Sequence, residues 1–359
     1  MVLSVLTFAL VLGLAFANGT NDVSKAIATL VGSGVTDYRK AILWGTLWTV
    51  AGSGLSAVMG QAMLNTFSSG LIQPGTVAGP AVALAVLMGA MTWVLFASAT
   101  GLPVSTTHAL TGAIVGAGMV ALTVEGLVWT AIVKKIVLPL LLSPVLAMTV
   151  SVTFHPALRV LALRWQPAES GTHSPSLSSV GALRGAPHNL QLAIPKRALV
   201  GVDSIHWISS GLASLARGAN DTPKIVAMLF LGSISTSGHS APFQFIAFSA
   251  VALAIGLGSY WGGLRVTAVL AEKVTRMDHV EGLSANLTTS SLVMVSATLG
   301  LPVSTTHVSS SAIIGIGILK GLKNVQWKTV RDMVLAWIMT LPGAALLAAI
   351  TYFICNAIL

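Results

Sequence analysis

The octapeptide Gly101-Leu-Pro-Val-Ser-Thr-Thr-His108 returns letter for letter as Gly300-Leu-Pro-Val-Ser-Thr-Thr-His307. A second element repeats at the same step: Gly19-Thr-Asn21-Asp22-Val-Ser-Lys25 answers Gly218-Ala-Asn220-Asp221-Thr-Pro-Lys224, and the interval from 101 to 300 equals that from 22 to 221. Two elements sharing one offset mean a duplicated unit, so the fold must use one construction twice. Each copy pairs an acidic, amide-bearing patch with a hydroxyl-rich patch behind a proline, both inside long apolar sequence.

That apolar setting narrows the fold class. Of 359 residues, 54% are hydrophobic and 8% charged, and the mean hydropathy is +0.86. Soluble domains carry about a quarter charged residues, so this surface needs lipid around it. At about 20 apolar residues per span, the blocks suffice for roughly ten to twelve transmembrane segments, some short or broken. The alternating pattern of a membrane barrel is missing. The expected class is therefore an all-α polytopic membrane protein.

The net charge of +9 resides in loops. Arg159, Arg164, Arg184, Lys196 and Arg197 face a single Glu169 across the long central connection, which marks it as cytoplasmic. A nucleic-acid surface would need aromatic or groove-reading company that these residues lack. The lone Cys355 excludes an intrachain disulfide framework and a cysteine metal site. Ala15-Phe16-Ala17 mimics a signal-peptidase site, but no basic region precedes it, so the N-terminus is expected to be a span of the mature protein.

Three regions follow: a first transmembrane repeat at 1–153, a basic cytoplasmic linker at 154–197, and a second repeat at 198–359. Within each repeat, interruptions are expected at the Asn-Asp element and at Pro103 or Pro302, where proline removes a donor and disfavours helix before it. The residues leave open whether the arms around each proline span the membrane or form re-entrant hairpins. An odd number of crossings between the copies would invert one against the other and bring the broken helices to the midplane.

The chemistry of the two patches is complementary. A helix that starts at a hydroxyl-rich cap presents free N–H groups and a positive dipole end, a ready anion site. Ser105, Thr106 and Thr107, with Ser304, Thr305 and Thr306, add rotatable hydroxyl donors suited to a tetrahedral oxyanion. Simple N-capping is the plainer use of the serines. A carboxylate at membrane depth is costly and needs a partner. Asp22 and Asp221 would hold a sodium ion together with Asn21, Asn220 and freed backbone carbonyls, with Asn286 as an extra ligand in the polar cluster Thr288-Thr289-Ser290. The same aspartates can accept a hydrogen bond from a protonated oxyanion such as phosphate. Lys25 and Lys224 follow the aspartates by three residues and can pair with them on one helix face. Their alternative role is as resident cations facing substrate. His108 and His307 are packing residues or pH sensors.

At these motifs the sequence resembles the inorganic phosphate transporter (PiT) family, whose halves each carry a Gly-Ala-Asn-Asp element and a Gly-Leu-Pro-Val-Ser-Thr-Thr-His element. The resemblance covers about residues 1–150 and 198–359 and excludes the linker. It implies secondary transport of phosphate, driven by a sodium or proton gradient, through an inverted-repeat helical fold. Carried over by motif, the binding residues are Asn21, Asp22, Ser105, Thr106, Thr107, Asn220, Asp221, Ser304, Thr305 and Thr306. Many relatives have Asn or another small residue in place of Lys25 and Lys224, and animal members have glutamate in place of Asn286 and another near Trp48.

The reading is a cation-coupled phosphate symporter of the prokaryotic inner or plasma membrane, with sodium as the expected ion, lipid and phosphate as partners, and no enzyme cofactor. Proton-coupled phosphate or sulfate transport is the nearest alternative. A passive channel has no use for intramembrane aspartates. An intramembrane hydrolase would need one activated nucleophile, whereas Ser, His and Asp all occur twice. Homo-oligomerisation is open.

Overall fold

The computed structural model describes residues 2–74, 76, 78–164, 196–231 and 241–359, with the side chains of 196–200 left aside. Arg184, Lys196 and Arg197 of the expected linker thus lie outside the described residues or side chains. Among the described residues the architecture is helical, with a single isolated bridge between Ile72 and Leu127.

The first copy comprises α1 (Val2–Asp22), α2 (Ser24–Gly32), α3 (Tyr38–Met59), α4 (Gln61–Ser68), α5 (Pro80–Thr100), α6 (Thr106–Leu122) and α7 (Trp129–Arg164). The second comprises α8 (Lys196–Ala227), α9 (Ala241–Gly262), α10 (Leu264–Glu272), α11 (His279–Thr298), α12 (Thr305–Leu319) and α13 (Trp327–Ile358). Among the described residues, six helical stretches are long and apolar enough to cross a membrane. α8 and α11, 32 and 20 residues long, are more polar because they carry buried hydroxyls and charges inward. α6 and α12 are apolar but have only 17 and 15 residues, short of the roughly 20 that a span needs.

The copies interdigitate. α1 packs on α9 of the other copy, and α8 reciprocates against α3; α13 packs on α5 and α6, and α7 reciprocates against α11 and α12. Glycines permit the inner crossings. A Cβ on Gly19 would lie 2.2 Å from the Ile255 carbonyl oxygen of α9, and one on Gly218 would lie 2.3 Å from that of Thr49 in α3. Leu141, Leu142 and Val145 of α7, and Ile338, Leu346 and Phe353 of α13, are exposed, as lipid-facing side chains are.

Two differences from expectation concern helix ends. The Asn-Asp elements do not open the backbone widely: Val23 interrupts α1 and α2 for one residue in helical geometry, and α8 runs through Asn220, Asp221 and Pro223. Their polar side chains find partners in the packed neighbour, so the backbone has no need to unwind. α7 continues to Arg164, so residues 154–164 of the expected linker are helical; Ala162 is buried against Val202, Val280 and Leu283, and that packing extends the helix. The breaks that do form are at the prolines. α5 ends on Gly101 in left-handed geometry (φ 77°), and Gly300 does the same in the second copy (φ 65°). Glycine pays little for that conformation, and it turns each chain into the extended stretch before the next helix.

Candidate functional site

The two extended stretches, Leu102–Ser105 and Leu301–Ser304, meet the Asn-Asp elements at the interface between the copies. Asn21 clamps the first bend: its amide donates to the Leu102 carbonyl at 3.0 Å and the Ser98 hydroxyl at 3.2 Å, while its oxygen accepts from the Val104 N–H at 3.2 Å. These bonds replace the ladder that Pro103 breaks. Asn220 does part of the same work, donating to the Val303 carbonyl at 3.2 Å.

Ser105 and Ser304 are N-caps, accepting from the His108 and His307 N–H groups at 3.3 and 3.2 Å. The threonines instead reach between copies. Thr107 accepts from Lys224 at 2.8 Å, and Thr306 donates to the Val104 carbonyl at 2.6 Å. Thr305 is buried beside them on the first turn of α12.

The meeting point is a residue that motif reading passed over as part of the polar interruption. Asn18 Nδ2 lies 3.2 Å from Asp22 Oδ2, 3.2 Å from Asp221 Oδ2 and 3.0 Å from Thr106 Oγ1. One amide thus holds the carboxylates of both copies and a hydroxyl of the octapeptide. The remaining oxygens pair with lysine: Lys25 Nζ is 2.7 Å from Asp22 Oδ1, and Lys224 Nζ is 3.2 Å from Asp221 Oδ1. Asn18, Asn21, Asp22, Lys25, Ser105, Thr106, Thr107, Asn220, Asp221, Lys224, Ser304, Thr305 and Thr306 are all at most 4% exposed. A small hydrophilic ligand reaches them only if helices move.

Arg217 also escaped the motif reading, although it stands where Asn18 stands in the first copy. It is 1% exposed, donates to Thr49 at 2.7 Å and Ser259 at 3.1 Å, and among the described residues its Nε and Nη1 have no hydrogen-bond partner. Its signal was legible: a charged residue within an apolar run is functional by default. His108 and His307 meet with ring centroids 4.7 Å apart, and His307 stacks on Trp337 at 4.3 Å. Trp337 also donates to the Pro103 carbonyl at 3.0 Å, tying α13 to the first bend. The Asn286 amide donates to Ser209 at 3.1 Å, twelve residues, or about 18 Å of helix, before Asp221, while its own helix α11 packs on α2, which carries Lys25.

This arrangement has known counterparts. The sequence pattern of the phosphate transporter family matches residues 18–348. The chain belongs to this family. It is 31% identical over 344 residues to a probable low-affinity inorganic phosphate transporter of Rhizobium meliloti, covering 94% of this chain and 92% of the relative. A Bacillus subtilis protein of the same description is 29% identical over 362 residues, covering 100% and 98%. A solved structure described as the sodium-dependent phosphate transporter superposes with a TM-score of 0.82 at 25% identity, with both chains fully covered. This chain is accordingly a multi-pass membrane transporter and not an enzyme, which removes the hydrolase reading.

Proposed function

We propose that this phosphate transporter works by alternating access, carrying inorganic phosphate together with a cation through a site made jointly by the two repeats. The observation that carries this reading is the single Asn18 amide bonded to Asp22, Asp221 and Thr106. It draws the acidic element of each copy and a hydroxyl-bearing helix start to one buried place. Phosphate is held there by the hydroxyls and helix N-termini at Ser105–Thr107 and Ser304–Thr306, and its own proton is donated to Asp22 or Asp221. Sulfate carries no such proton near neutral pH and leaves two carboxylates facing an anion.

Burial of every group in the site supports the alternating mechanism, since entry and exit both require the interdigitated copies to rearrange. The reciprocal packing supports an inverted pair, in which the same rearrangement exposes opposite faces. The description of the solved relative as sodium-dependent supports sodium as the coupled ion, with Asn21, Asp22, Asn220 and Asp221 nearest to hand. A second reading, proton coupling, is favoured by the lysine already paired with each aspartate.

The test is radiolabelled phosphate uptake into proteoliposomes under an inward sodium gradient, an inward proton gradient, or neither, with excess sulfate as competitor. Asp22→Asn and Asp221→Asn are expected to fold and to lose most uptake. Wild-type rates in both variants would refute the site, and uptake indifferent to every gradient would refute coupling.

A further inference from the structure

Lys25 Nζ is surrounded by four oxygens. It lies 2.5 Å from Asn21 Oδ1, 2.8 Å from the Asn21 carbonyl, 2.7 Å from Asp22 Oδ1 and 3.5 Å from the Val104 carbonyl. One carboxylate, one side-chain amide and two backbone carbonyls form a donor set of the kind that suits a hard monovalent cation. Here an ammonium, with three N–H groups to distribute, fills its centre. In the second copy Lys224 Nζ sits between Asp221 Oδ1 at 3.2 Å and Thr107 Oγ1 at 2.8 Å.

The electrostatics point the same way. Two carboxylates at the site face three resident cations, Lys25, Lys224 and Arg217, all buried to within 2% exposure. In a medium of low effective dielectric, neighbouring unit charges interact by several kcal/mol even at a distance of about 4 Å. A further cation entering this cluster meets the ammonium groups at the oxygens it would need. An arriving anion meets an excess of positive charge.

We propose that the Lys25 and Lys224 ammoniums are tethered cations standing in for bound sodium at the aspartates, so that this transporter moves phosphate without requiring sodium. The inference rests on the phosphate-transport reading and, of the two couplings offered for it, sets sodium aside in favour of the proton. The lysines give each aspartate a permanent counter-ion, so neutralisation of the site is built into the chain rather than supplied by the gradient of a dissolved metal ion.

Two measurements on the full-length protein decide it. In the first, phosphate uptake into proteoliposomes is compared in sodium and in choline at fixed pH and membrane potential. In the second, the melting temperature of the detergent-solubilised protein is followed as sodium replaces choline, without phosphate. The wild type is expected to show no sodium response in either. Lys25→Asn, which opens the donor set, is expected to gain sodium stimulation of uptake of about tenfold, within the usual span of coupling between two ligands. Sodium-dependent uptake or a sodium-induced rise in melting temperature of the wild type would overturn the proposal, as would a folded Lys25→Asn protein without any sodium response. If that variant does not fold, the wild-type pair of measurements decides alone. Absence of phosphate uptake in both cations would remove the phosphate reading instead, and the melting experiment would still test the tethered cations.

Discussion

Replacing Asn18 with leucine keeps the branch at Cγ, enlarges the side chain and removes the amide that joins the two copies. Three oxygens lie within 3.2 Å of its nitrogen, and two belong to carboxylates. The amide has two N–H groups, so at most two strong bonds hold at once. A hydrogen bond to a charged acceptor contributes about 1.5 kcal/mol at the low end of its range. Two of them amount to about 3 kcal/mol, or about two powers of ten in an equilibrium constant. The loss falls on the arrangement in which Asp22 Oδ2 and Asp221 Oδ2 share one donor; Lys25 and Lys224 remain to pair each aspartate. Initial rates of phosphate uptake into proteoliposomes should therefore fall about a hundredfold, with the variant still eluting as a folded protein. A melting temperature measured in parallel separates loss of the site from loss of the fold. Uptake at the wild-type rate would refute the assignment of Asn18 as the joint between the copies.

Gly19→Val should prevent stable packing of α1 on α9, since a Cβ there falls 2.2 Å from the Ile255 carbonyl oxygen and 2.7 Å from the Ser259 nitrogen, both backbone atoms. Folded yield on size-exclusion chromatography should collapse, whereas Gly54→Val, with nothing within 4 Å of the new Cβ, should be tolerated. Trp337→Phe keeps a ring against His307 and removes the 3.0 Å bond to the Pro103 carbonyl. A destabilisation of about 1 kcal/mol is expected, seen as a modestly lower melting temperature, and Trp337→Ala should cost several times more.

Much of this protein is legible in its sequence. The low charge content dictated helices in lipid, because an exposed strand edge or loop has no hydrogen-bond partners in hydrocarbon. The common offset of two motifs marked both halves of the candidate site, and Pro103 and Pro302 located the breaks, because proline's missing N–H is a local property. Ser105 and Ser304 as N-caps were equally local.

What tertiary structure alone decided was who partners whom. Asn21 looked like a free ligand and is a clamp on the Pro103 bend, because an amide beside a broken ladder is captured by unpaired backbone groups. Asn286 belonged by composition to the same polar set, yet helix packing places it against Ser209. Asn18 and Arg217 occupy equivalent places in the repeat, but one bridges the two aspartates and the other turns to Thr49 and Ser259. The sequence by itself determined the membrane setting, the duplication and the chemical types available. The lysine–aspartate pairs follow from local spacing, but that Asn18 stands beside Asp221 depended on the crossing of helices far apart in the chain, which the close approach at Gly19 and Gly218 permits and no local pattern encodes.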